Sequence, residues 1–178
     1  MYSYPVISGY AKDEMRVLGI DPGLATIGYG IIDREEKKDT VIDYGVISTP
    51  KDESTPVRLA MIYDAMATII SKYKPDEIAV ENLFFYKNIT TGIPVAEARG
   101  VILTAAVREC GKLYEYTPQQ VKMAMTGFGK ADKKQIQQMV KLFLRLDKIP
   151  KPDDAADALA IALTHLNLGI FTQEKYVK

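Results

Sequence analysis

Residues 16–47 read RVLGIDPGLATIGYGIIDREEKKDTVIDYGVI, and the alternation of apolar runs and chain breakers within them decides the fold. Arg16 to Ile20 is a short apolar run that Asp21-Pro22-Gly23 must stop, because proline removes a ladder donor and glycine weakens the strand. Asp21 therefore stands at a strand end. Gly28 to Asp33 and Val41 to Ile47 read as two further strands, joined by the charged turn Arg34 to Asp39. Three consecutive strands with short connections predict an antiparallel meander.

Downstream the period changes. Leu59, Ile62, Met66, Ile69 and Tyr73 step by three and four, which predicts an amphipathic helix begun near Thr55-Pro56 and ended before Pro75. Glu77 to Glu81 is a short buried strand whose carboxyl end carries Glu81, and the preceding helix makes it parallel to an earlier strand. Asn82 to Thr91 is too aromatic and irregular to assign. Val95 to Arg108 returns to helix, with Gly100 in its middle expected to permit close packing.

Lys112 to Tyr116 reads as the last strand, and Thr117-Pro118 opens a helix with threonine as cap and proline at its first position. Gly127 and Gly129 end that helix. A further helix places Ile136, Met139, Val140, Phe143 and Leu144 on one face, and the last runs from about Pro152 to Leu166. The sum is an α/β fold: a mixed five-stranded sheet, its first three strands antiparallel, flanked by helices. Residues 15–168 form the domain, between an N-terminal extension (1–14) and a C-terminal tail (169–178).

Composition narrows the class. The 178 residues suit one core, and a 47% hydrophobic share with 26% charged residues is that of a globular protein. One cysteine, Cys110, and one histidine, His165, exclude an internal disulfide and argue against a thiolate–imidazole zinc site. A reducing cytoplasm is the expected location, with no membrane association, since no run is long enough to span a bilayer and residues 1–14 lack signal-peptide character. Twenty-three acidic and 23 basic residues cancel, so a purely electrostatic nucleic-acid binder is disfavoured. A nuclease holding metal in a carboxylate cluster is not.

The carboxylates are placed for such a cluster. Asp21 and Glu81 sit at strand ends, and the last helix opens with Asp153, Asp154 and Asp157. Hard divalent cations take acidic oxygen ligands, and two of them can serve both sides of a phosphodiester displacement. Residues three or four apart share a helix face, so both Asp154 with Asp157 and Asp153 with Asp157 satisfy the spacing. Asp153 also reads as the helix cap. A turn aspartate at Asp21, a polar strand exit at Glu81 and acidic residues at a positive helix end are the plain alternatives.

Four segments, Leu18-Gly19-Ile20-Asp21-Pro22-Gly23, Ala79-Val80-Glu81, Ala96-Glu97-Ala98-Arg99-Gly100 and Asp154-Ala155-Ala156-Asp157-Ala158-Leu159-Ala160, together resemble the RuvC family of Holliday junction resolvases in order and spacing. The likeness spans about residues 15–167. It implies a ribonuclease H-like fold and a homodimer that resolves four-way DNA junctions by paired, metal-dependent nicks in opposing strands. It makes Asp21, Glu81, Asp154 and Asp157 the catalytic metal ligands, with two Mg2+ ions per site and Mn2+ able to substitute, and gives Asp153 no catalytic part. A RuvA–RuvB branch-migration complex is the implied partner.

By the same resemblance Phe84 stacks on a base near the junction centre, with Phe85 and Tyr86 as neighbours open to the same role. Lys122 and Lys133 match family positions concerned with DNA and catalysis, and Lys130 and Lys134 complete a basic loop around Gly127-Phe128-Gly129 suited to phosphates. Lys87, Asn88 and Arg99 are further candidates for DNA contact. His165, eight residues beyond Asp157 and so about 12 Å along a helix, is too far to join the metal site and reads as structural. Helix residues 93–109 are the candidate dimer surface. A ribosomal-RNA-trimming relative lacks the junction motifs, an actin-like phosphotransferase needs a second glycine-rich turn and a longer chain, and a non-catalytic binding module does not need four carboxylates.

Overall fold

The computed structural model describes residues 14–82 and 89–168. Five strands and five helices follow in the order β1 (Glu14–Asp21), β2 (Thr26–Glu35), β3 (Lys38–Ser48), α1 (Thr55–Tyr73), β4 (Glu77–Glu81), α2 (Ile89–Glu109), β5 (Leu113–Tyr116), α3 (Pro118–Thr126), α4 (Lys133–Phe143) and α5 (Asp153–Leu168). The sheet order is β3-β2-β1-β4-β5. The first three strands pair antiparallel as expected, and β4 and β5 join parallel to β1 and to each other.

Strand parity splits the core in two, because successive side chains point to opposite faces. Leu18, Ile20, Ile78 and Val80 face α1 and α2, where they meet Ile62, Met66, Ala98 and Ile102. Val17, Ala79, Tyr114 and Tyr116 face the other way and pack with α3, α4 and α5. Asp21 shares the parity of Val17, and Glu81 that of Ala79, so both aim toward the α5 side. Parity alone thus brings two strand-end carboxylates under the helix that carries the aspartates.

Helix α5 lies close on the sheet because the strands beneath it are bare. Gly19 and Gly28 leave no room for a Cβ: one on Gly19 lands on the Ala158 carbonyl and one on Gly28 on the Asp154 carbonyl. Gly19 pairs with Gly30, and Asp21 with Gly28. Eleven residues of α5 from Ala155 to Leu166 are buried in consequence. At the far end of the helix His165, 1% exposed, bridges the sheet: its Nδ1 is 2.7 Å from the Tyr116 hydroxyl and its Nε2 is 2.7 Å from the Glu77 carboxylate. Lys112 Nζ stands 3.9 Å from that carboxylate.

Four local expectations change. Helix α2 begins at Ile89 rather than near Val95, passing Pro94 within its second turn, where the missing proline donor costs one bond near an end that lacks several anyway. Among the described residues a Cβ on Gly100 meets nothing within 4 Å, so no close packing among them requires that glycine. Phe143 is 39% exposed, while Ile136, Val140 and Leu144 form the buried face of α4. Asp153 is the first residue of α5 and not its cap: its carboxylate takes Lys151 Nζ at 2.5 Å, a charge-assisted partner stronger than a backbone amide. Capping boxes do open α3 at Thr117 and α4 at Asp132, and Gly127 closes α3 at φ 70°.

Candidate active site

Asp21 ends β1 where Pro22 halts the ladder, and Glu81 ends β4 one strand away. The first turns of α5 bring Asp154 and Asp157 over them from the same face. The electrostatics report this proximity. Burial pushes the Asp21 carboxyl up to about 8, with Glu81, Asp157 and Asp154 adding to the rise and Lys133 opposing it. Glu81 is pushed up to about 7 by burial and then by Asp157, against Lys122. Asp157 is also raised, chiefly by burial, although its hydrogen bond to Lys133 works the other way.

Lys133, at the start of α4, sets its Nζ 2.8 Å from Asp157 and 3.7 Å from Asp153. The amine is the local counter-charge, and the bond to Asp157 holds it above the ordinary lysine range. Among the described residues no three carboxylate, thiol or imidazole groups close on one point as a finished metal cage. Asp21 instead lies within electrostatic reach of the other three acids, and Asp157 within reach of Glu81 and Asp154. Like charges kept apart, with one lysine among them, are what such a donor set adopts by itself. All-oxygen donors, among which Asp21, Glu81 and Asp157 are raised by burial and by neighbouring acids, fit a hard divalent cation, which would relieve the repulsion that burial amplifies.

The expected DNA-contacting residues divide. Lys122 on α3 acts on Glu81 and Lys133 on α4 meets Asp157, while Lys130 stands in the loop between those helices and Lys134 next to Lys133. Arg99 turns elsewhere: its guanidinium pairs with Glu115 on β5, with the arginine side chain only 17% exposed. A partner on a strand sixteen residues away holds the guanidinium against the fold. Phe84, Lys87 and Asn88, with Phe85 and Tyr86, lie outside the described residues. What sequence reading missed is Glu77, the buried partner of His165; its parity with Glu81 on the same strand was the available signal.

A β3-β2-β1-β4-β5 sheet with acids at the ends of β1 and β4 and on the covering helix defines a ribonuclease H-like nuclease. Residues 17–165 match the family model described as Crossover junction endodeoxyribonuclease RuvC. The protein of that name from Fusobacterium nucleatum is 58% identical over 153 residues, covering 86% of this chain and 80% of the relative. The Thermus thermophilus RuvC structure superposes with a TM-score of 0.83 at 35% identity, covering 92% of this chain and 100% of that one. T. thermophilus RuvC in complex with Holliday junction substrate gives 0.81 at 32% identity, with coverages of 92% and 100%. This chain belongs to the RuvC family of crossover junction endodeoxyribonucleases. Among the described residues no helix is long and apolar enough to cross a membrane.

Proposed function

We propose that Asp21, Glu81, Asp154 and Asp157 are the catalytic metal ligands of a Holliday junction resolvase, with two Mg2+ ions per site for which Mn2+ substitutes. The observation that carries this reading is the burial of Asp21 and Glu81 at neighbouring strand ends beneath α5, where Glu81, Asp157 and Asp154 raise Asp21 and Asp157 raises Glu81. Buried acids crowded in this way cost stability, and a cation makes the arrangement favourable. When bound, magnesium supplies positive charge to the reacting phosphate and lowers the pKa of the attacking water.

The chain's own groups do the rest. Asp157 and Asp154, held by a helix that cannot settle elsewhere, fix the ligand positions against Asp21 and Glu81. Lys133 and Lys122 flank the acids and neutralise the backbone phosphates of the strand to be cut, while Lys130 and Lys134 extend that track. Phe84, Lys87 and Asn88 contact the junction beside Glu81. The enzyme acts in the cytoplasm as a homodimer through residues 93–109, alongside a RuvA–RuvB type complex, nicking opposing strands in symmetric pairs. The domain is 15–168, and 1–14 and 169–178 are its extension and tail.

The test is a labelled four-way junction beside a matched linear duplex, in magnesium, with Asp157→Asn run in parallel. Paired nicks confined to the junction, lost in the variant while binding persists, are the expected result. Cleavage of the linear duplex at the same rate, or full activity in excess chelator, overturns the reading.

The raised acids also predict a coupling between pH and metal. Their folded pKa values exceed the ordinary carboxylate values, so protons compete with metal up to about pH 7 for Glu81 and about pH 8 for Asp21. Cleavage at sub-saturating magnesium is expected to rise between pH 6 and pH 8, and the rise is expected to move to lower pH at higher magnesium. Rate–pH profiles at two magnesium concentrations check this; superimposable profiles count against it.

A further inference from the structure

The structure assigns a nucleobase-stacking site to Phe128 and the groove beside it, a second aromatic contact to DNA in the loop and helix that also carry Lys133. This rests on the proposed junction nuclease reading and adds a contact to it. Phe128 is 57% exposed, a large aromatic surface left in water. It is held rather than loose. Its amide donates to Thr126 Oγ1 at 3.1 Å, that hydroxyl donates to the Lys122 carbonyl at 2.8 Å, and the Phe128 carbonyl accepts from the Ala131 amide at 3.1 Å. Gly127 in the left-handed region turns the chain out of α3 just before the ring, and a Cβ on Gly129 would press on the Gln119 side chain at 3.3 Å. A fixed loop therefore presents an exposed ring.

The space beside the ring has the right chemistry for an unpaired base. A groove of about 410 Å³ runs between Phe128 and α4, within the range of small-molecule sites. Phe128, Ala131 and Met139 give it apolar surfaces, and the amides of Gln135 and Gln138 line it with donors and acceptors suited to base edges. Lys134 stands in the same groove, one residue from the Lys133 that meets Asp157.

Charge selects the occupant. From Lys122 to Lys141 the chain carries five lysines and one acid, Asp132, in a protein whose net charge is zero. Asp132 also lines the groove, and its carboxylate already accepts from the Gln135 amide as a helix cap. An exposed aromatic ring with Lys134 in its groove and Lys130 two residues along the chain suits a polyanion with π-faces, which single-stranded DNA at an open junction centre provides.

The absence of tryptophan from the sequence makes the test direct. Phe128→Trp places a single indole at the site; its emission is expected to be quenched saturably by a four-way junction in chelator, and far less by a fully paired duplex. Phe128→Ala and Phe128→Leu are expected to bind the junction about tenfold more weakly, with Phe128→Tyr restoring affinity and all melting temperatures unchanged, because the ring is exposed. Wild-type cleavage and binding of the junction, with Phe128→Ala and Phe128→Leu binding as tightly and no quenching, overturns the stacking site alone. Emission that shifts with protein concentration in the absence of DNA also overturns it, in favour of contact between copies. Failure of the wild-type chain to bind the junction at all sinks the nuclease reading instead.

Discussion

Asp21→Asn is expected to abolish junction cleavage while making the metal-free protein more stable. Loss of a metal ligand removes at least the hundredfold that loss of a supporting partner costs, and the rate should fall by about that factor or more. Stability moves the other way. The folded pKa of Asp21, about 8, lies above its unfolded value, so its contribution to stability is full below about pH 4 and is lost as pH rises through about 8. Asparagine keeps the shape without the charge. Discounting for Lys133 and solvent screening, the gain at pH 8 is about 2 kcal/mol, or about 4–8 °C in melting temperature. Magnesium should raise the melting temperature of the parent and much less that of the variant. A variant that still nicks junctions, or that melts below its parent in chelator, removes Asp21 from the metal site.

Gly28→Ala is the second large effect. An added methyl falls on the Asp154 carbonyl, which is backbone and cannot rotate aside. Overpacking against a rigid neighbour costs about 3 kcal/mol, so a fall of about 6–12 °C in melting temperature is expected. Cleavage should be lost at temperatures where the variant is still folded, because the same shift displaces Asp154 and Asp157. Circular dichroism melts beside junction cleavage at low temperature measure the two separately. Full activity in a folded Gly28→Ala protein refutes the idea that this contact sets the site.

Much of this was legible from one sequence, for identifiable reasons. The meander shows itself through Pro22 and the Arg34–Asp39 turn, and the carboxylates through strand ends and helix spacing, all of them local signals. Resemblance was needed to choose Asp154 over Asp153; the structure adds that Lys151 occupies Asp153. What stayed hidden depends on pairings distant in the chain. Arg99 reads as a surface cation until Glu115 on β5 claims it. Gly100 reads as a packing glycine, yet no described residue comes within 4 Å of where its Cβ would stand. His165 reads as structural from its distance along the helix, but Glu77, 88 residues away, could not be named as its partner.

The bare strands under α5 have one more consequence. A helix lying on side chains can often creep by a residue at modest cost, exchanging one set of notches for another. A slip of one residue here moves the helix about 1.5 Å and, to keep its screw, turns it by about 100°, driving side-chain carbons where only Gly19 and Gly28 now leave space. The far end is pinned as well, by His165 between Tyr116 and Glu77. The helix is thus keyed at both ends like a shaft in its slot, and the spacing between the acids of the strands and those of the helix is fixed before any cation or DNA arrives.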